Sequence, residues 1–202
     1  MSSETPIAPG QAEDGLSRCG WVSSDPLYQR YHDEEWGRPE YDPLKLYELL
    51  VLESFQAGLS WITILRKRED FRRAFSGFDP EQVAAFGETD VQRLLTDAGI
   101  VRHRGKIEAA IAGARAWLAV QERHPGGFSA FVWETVDGKP VINSWDSLTD
   151  VPVSTAEAEW LSKRLRRHGF RFVGPTTTYS LMQAAGLVDD HLRSCFVRQA
   201  RA

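Results

Sequence analysis

Cysteine is nearly missing from this chain. Its 202 residues hold two, Cys19 and Cys195, near opposite ends. That count excludes a multi-bridge disulfide scaffold. One bridge is possible on number alone, and the lack of an export signal argues against it. The opening residues MSSETPIAPGQAEDG have no apolar core of the kind a secretory signal needs, and predict a mobile tail. No apolar run is long enough to span a bilayer, so no membrane partner is expected and the default location is cytoplasmic. Net positive charge is missing too: 24 Lys and Arg face 28 Asp and Glu, for a formal charge of −4. A purely electrostatic grip on nucleic acid is therefore not the leading idea. Internal repeats and low-complexity tracts are absent as well.

What is present is an ordinary globular composition, 42% hydrophobic and 26% charged, in a chain long enough for one domain or two closely packed lobes. Helix signals dominate. Asp42-Pro43 predicts a helix to about Gln56, and Ser60 caps a second to about Phe75. Asp79-Pro80 starts a short helix to Phe86, and Thr89 starts one to about Asp97. A long amphipathic stretch covers about 103–122, and Ser154-Thr155-Ala156-Glu157 reads as a capping box for a helix ending at Gly169. Gly174-Pro175 opens another helix, closed by Gly186; Asp189 is expected to lead a last one carrying His191 and Cys195. Residues 133–153 show no clean alternation and read mostly as loop. The expected class is all-α.

Three features carry chemistry. In LLVLESFQAGLSWI (49–62), Glu53 falls on the apolar stripe of its helix and should point inward, near Trp61. It is either a structural acid with a backbone or arginine partner, or the floor of an aromatic pocket, with Trp21, Tyr31 and Trp36 as further walls. Cys19, His32, His191 and Cys195 make up a full tetrahedral donor set for Zn²⁺. Such a site would tie the two ends of the chain together, a structural role, and leaves no open position for a metal-bound water. The other reading is two ordinary cysteines and two ordinary histidines. Third, bases cluster at 66–73, 102–106 and 163–171. The middle cluster lies in Leu94–Ile107, which has the form helix, glycine-containing turn, helix. Amides at such a turn, with Arg102, Arg104 and Lys106 beside it, suit a phosphate; the bland alternative is a helical hairpin with a solvated basic face.

RCGW (18–21), YHDEEWG (31–37), LESFQAGLSWITIL (52–65), DAGIVRHRGKI (97–107), FRFVGPTTTYSLMQAAGLVDDH (170–191) and Cys195 together resemble the type I 3-methyladenine DNA glycosylases. The likeness runs from about Arg18 to Cys195. It implies an all-α helix-hairpin-helix glycosylase fold with a structural zinc joining the N- and C-terminal segments. It implies residues 1–17 as a tail and 18–202 as one domain, with a zinc-bound terminal lobe and a hairpin lobe around 42–122. By resemblance Cys19, His32, His191 and Cys195 are the zinc ligands, and Glu53 and Tyr31 hydrogen-bond the excised base. Trp61 stacks on that base, with Trp21 beside the pocket. Phe55 departs from the polar residue of some members, and Pro175 stands at a variable position.

The activity so implied is release of 3-methyladenine from double-stranded alkylated DNA, with no strand cleavage and by a monomer. Glu53 is then the one candidate catalytic residue. The family lacks the catalytic Asp that follows the hairpin in many relatives. Gln56, Gly58 and Leu59 form a turn between the pocket residues, and Leu59 is a candidate wedge for the space left by a flipped nucleotide. With Gly99, Val101, Arg102, Arg104 and Lys106 they make up the expected DNA surface. Two rivals remain: a lesion-binding protein without catalysis, and a zinc hydrolase of small substrates, which needs an open metal position.

Overall fold

Asp-Pro pairs open three helices. The side chains of Asp25, Asp42 and Asp79 accept from amides two or three residues on, and each following proline occupies a first-turn position whose N–H has no partner anyway. The computed structural model describes residues 14–201, so 1–13 of the expected tail lie outside the described residues. In chain order the helices are α1 (Pro26–Glu34), α2 (Pro43–Gln56), α3 (Trp61–Arg66), α4 (Arg68–Ala74), α5 (Pro80–Ala84), α6 (Glu88–Thr96), α7 (Arg104–Arg123), α8 (Gly127–Trp133), α9 (Ala156–Arg167), α10 (Pro175–Ala184) and α11 (Phe196–Arg201). None is long and apolar enough to cross a membrane. Two strands of two residues, β1 (Val141–Ile142) and β2 (Val188–Asp189), pair in parallel with Val141 opposite Val188.

α2 is buried on several sides. α3, α7, α8 and α10 all pack on it, and α7 also contacts α5 and α6. This is why residues 50–55 are all buried, polar Glu53 and Ser54 included. Phe55 sits 4.8 Å from the ring of Phe71 and 5.9 Å from Phe75, and its replacement by Ala would cost about 3–5 kcal/mol. Two indoles fix the start of α2: Trp117 Nε1 donates to Pro43 O and Trp133 Nε1 to Glu40 O. Gly186 is required by a close approach: a Cβ there would collide with the backbone of Arg38, and φ is +66°.

Most expected helices appear within a few residues of their limits. Three differences matter. The helix expected from Ser60 to Phe75 divides at Lys67 into α3 and α4, and Ser60 bonds Thr63 Oγ1 rather than a backbone amide. α9 is capped by Thr155, one residue later than expected, through Ala158 N. The last helix does not begin at Asp189. That residue ends β2, and its Oδ1 accepts from the backbone N of His191 and lies 2.8 Å from its Nδ1. A local side-chain bond and a strand partner both compete with helix there, so His191 and Cys195 precede α11 in irregular backbone. The segment before α1 is tied to the start of α11, where Phe196 N donates to Ser17 O, and Arg18 pairs with Asp14 and with Asp33 on α1.

Candidate active site

α1, α2, α3 and α10 meet around a cavity of about 340 Å³. Tyr28, Tyr31 and Trp36 line it from α1 and its end, Glu53 and Gln56 from α2, Trp61 from the start of α3, and Trp21 from the segment before α1. Tyr31 and Trp61 stand with ring centroids 5.3 Å apart. Trp21 packs against Tyr28 and Trp36, each at 5.0 Å.

Glu53 is 4% exposed, and its Oε2 is buried with no hydrogen-bond partner; Trp61 Nε1 is in the same condition. No ion pair neutralises the acid among the described residues. Burial therefore pushes its carboxyl up to about 8. Tyr31 is likewise raised, first by burial and then by Glu53. Buried polar atoms without partners are uncommon in folded proteins, and two that line one open volume mark a place built for something else.

A second cluster stands behind the aromatic wall. Donor atoms of Cys19, His32 and Cys195 lie within 4.8 Å of one another, and both thiols are free and buried. His191 is outside that trio, but its ring is 4.9 Å from that of His32 and its Nε2 is buried without a partner. Each imidazole has its Nδ1 on a carboxylate, His32 on Asp33 at 2.7 Å and His191 on Asp189 at 2.8 Å. That arrangement leaves each Nε2 available as a ligand and is the usual support for a metal-bound histidine. The hydrogen bond from Cys19, and then His32, pushes the Cys195 thiol down, while the same bond holds Cys19 up. Trp36 joins the two clusters, since it lines the cavity and stands 4.6 Å from His191.

The expected DNA-facing residues divide. Gln56 lines the main cavity and also an adjoining one of about 170 Å³, shared with Gly58, Leu59, Thr176 and Thr177. Gly58 has φ +83° and open space around its Cα, and Leu59 is 43% exposed. Arg102 is exposed. Arg104 is paired with Glu88 and Glu108. The amide of Gly99 donates to Asp97 Oδ1, and the carbonyl of Val101 accepts from His103 N. Lys106 differs from expectation: it is 7% exposed, and its ammonium donates to Phe55 O at 2.9 Å and Ala57 O at 2.7 Å. It satisfies carbonyls at the C-terminus of α2 and holds the 56–60 turn, rather than facing outward to a phosphate.

A family model described as methyladenine glycosylase matches residues 21–199. The chain belongs to the methyladenine glycosylase family. DNA-3-methyladenine glycosylase 1 of Escherichia coli is 54% identical over 180 residues, 89% of this chain and 96% of that protein. A crystal structure of a 3-methyladenine DNA glycosylase I superposes with a TM-score of 0.87 at 55% identity, covering 89% of this chain and 98% of the other. A structure of 3-methyladenine recognition by the Staphylococcus aureus enzyme gives 0.87 at 43% identity, over 90% and 96% of the two chains.

The cavity of this glycosylase contains residues that sequence reasoning passed over. Tyr28 lies three residues before Tyr31 on α1, a helix whose Asp25-Pro26 start was passed over although it has the same form as Asp42-Pro43. Tyr179, Gln183 and Asp190 lie within the 170–191 motif but were given no role there, and the wall residues Leu148, Val151, Pro152 and Val153 left no sequence signal.

Proposed function

We propose that this glycosylase flips 3-methyladenine out of duplex DNA and hydrolyses its N-glycosidic bond without cutting the strand. The observation that carries the reading is a buried, unpartnered acid on the floor of an aromatic-walled cavity. Its DNA substrate argues for the cytoplasm.

The chemistry asks little of the protein. Methylation at N3 gives the base a positive charge, and breaking the C1′–N9 bond returns its electron pair to a purine that leaves neutral. Water adds its oxygen to C1′ and its proton goes to solvent. An indole face favours a cationic ring over a neutral one, which suits Trp61 to stacking. Tyr31 is placed to bond the base edge, and Trp21 closes the wall. Burial by itself holds Glu53 as a carboxylic acid at neutral pH. A cationic purine beside it draws the carboxyl back toward the carboxylate, which accepts from the adenine amine. A guanine edge presents its carbonyl oxygen there and leaves two acceptors face to face. Among the described residues no lysine lines the cavity, and Lys106 is occupied by carbonyls, which supports hydrolysis without a lyase step. Leu59 is the wedge and the hairpin between α6 and α7 holds the backbone, in the manner of helix-hairpin-helix proteins.

The donor set fits a structural zinc: two thiols, two imidazoles, and an orphaned Nε2 on His191. Cys19, His32, His191 and Cys195 would hold it, clamping the chain ends behind Trp36. Metal analysis of purified protein should find about one zinc per chain. Chelation should lower the melting temperature, and a metal-free protein of equal stability would remove the site.

Incubation with methylated DNA, followed by chromatography, tests the activity. The expected product is 3-methyladenine over an abasic, uncut strand. Tight binding without release would favour the lesion-binding reading instead. Glu53→Gln, which keeps a donor and an acceptor, should bind free 3-methyladenine within about tenfold of wild type, and Glu53→Leu should lose it.

A further inference from the structure

The basic cluster at 163–171 has no part in the scheme above, and the structure places its end between two parts of the proposed DNA surface. Phe172 stands edge-on to His103, with ring centroids 6.0 Å apart, and its ring tip lies 3.5 Å from where a Cβ of Gly105 would be. It therefore covers the start of α7, on the hairpin. Four residues on, Thr176 and Thr177 share a cavity with Gln56, Gly58 and Leu59. A duplex that reaches both the wedge turn and the hairpin must cross the segment between them, residues 171–177.

That segment is built to be presented. Phe172 has φ +55°, a left-handed backbone disfavoured for any residue with a Cβ, and its side chain is 39% exposed. Phe78 shares the conformation, at φ +59°, but is 1% exposed, so core packing holds it. Arg171 is exposed and without an ion-pair partner among the described residues, as are Arg166, Arg167 and Arg102. The Arg166 guanidinium lies 3.7 Å from the Cβ position of Gly174, which keeps it beside the same segment. Other arginines are neutralised, Arg68 by Glu35, Arg72 by Glu48 and, on the hairpin, Arg104 by Glu88, while Arg30, Arg38, Arg115, Arg123 and Arg198 share the unpaired state among the described residues. In a chain of net charge −4, a strip of unpaired arginines beside an exposed aromatic fits a polyanion with flat sugar and base faces.

We propose that Arg171 and Phe172 are DNA-contacting residues that join the wedge turn to the hairpin, Arg171 to a backbone phosphate and Phe172 to a neighbouring deoxyribose. The inference rests on the proposed glycosylase function for the orientation of the duplex. It is tested with the full chain and a duplex carrying a stable abasic-site analogue, by fluorescence anisotropy over a range of salt. Arg171→Ala should weaken binding about fivefold and lower the slope of log K against log salt by about 0.9, the signature of one lost phosphate. Arg171→Lys should keep the slope. Phe172→Gly, which relieves the backbone and so folds, should weaken binding with the slope unchanged. Affinity for free 3-methyladenine should be unaltered in all three. Wild-type duplex affinity and slope in both Arg171→Ala and Phe172→Gly would overturn the proposal. If wild type releases no base while these variants still lose duplex affinity, the strip stands and the glycosylase reading falls.

Discussion

Two carboxyl groups line the same cavity in opposite circumstances. Asp190 is 1% exposed, and its oxygens accept four hydrogen bonds: Asn143 Nδ2 and Trp145 Nε1 on Oδ1, Tyr179 OH and Gln183 Nε2 on Oδ2. Glu53 is buried to nearly the same degree, and its Oε2 has no partner. Burial alone therefore does not separate a structural acid from the one proposed to meet the base; the partners do. Asp190 ties the 143–145 segment to α10 and so holds that side of the cavity in place. Glu53 leaves its hydrogen-bonding capacity to whatever enters.

The contrast can be broken by substitution. The largest effect should come from Asp190→Ala, which strands four buried or half-buried donors. It should cost about 3–5 kcal/mol and lower the melting temperature by roughly 10 °C. A loss below about 1 kcal/mol would mean that the network holds nothing.

Glu53→Gln should do the reverse. The folded carboxyl titrates at about 8 against 4.5 when solvated. Below 4.5 both states carry the proton and burial imposes no charge penalty. As pH rises from 4.5 to 8 the unfolded chain releases its proton while the folded one keeps it, so stability falls, and above 8 the whole penalty is present. Gln does not titrate, so the variant's advantage should grow over that window, to about 1–3 kcal/mol at pH 8, below the roughly 5 kcal/mol that the full shift implies. Urea unfolding at pH 5 and pH 8 reads it directly. A difference that does not change with pH would show that the acid has a partner in solution.

Tyr179→Phe should have the smallest effect, about 1 kcal/mol, because Gln183 still serves the same oxygen of Asp190. A loss as large as that of Asp190→Ala would make the tyrosine, not the acid, the centre of the network.

Local physics made much of the frame readable. Asp42-Pro43 and Asp79-Pro80 start helices for reasons contained within four residues, and the length of α7 follows from its amphipathic pattern. The inward direction of Glu53 was legible from its position on an apolar stripe, as were Trp61, Tyr31 and Trp21 near it. The end of α3 at Lys67 and the irregular backbone before α11 were not. Both depend on tertiary partners, such as β1 alongside β2 and Lys67 Nζ donating to Ala98 O.

The sequence by itself determined a helical chain, a set of thiols and imidazoles that could hold a metal, and an acid placed among apolar residues, because each is a matter of residue chemistry and short-range spacing. Only the tertiary structure decided which charges are spent. Lys106 turned inward to two carbonyls, Arg104 found Glu88, Arg171 found no acid, and Asp190 drew donors from as far as 47 residues away while Glu53 drew none. Such pairings depend on which side chains long-range packing brings within about 3 Å, and no local rule of the chain encodes that distance.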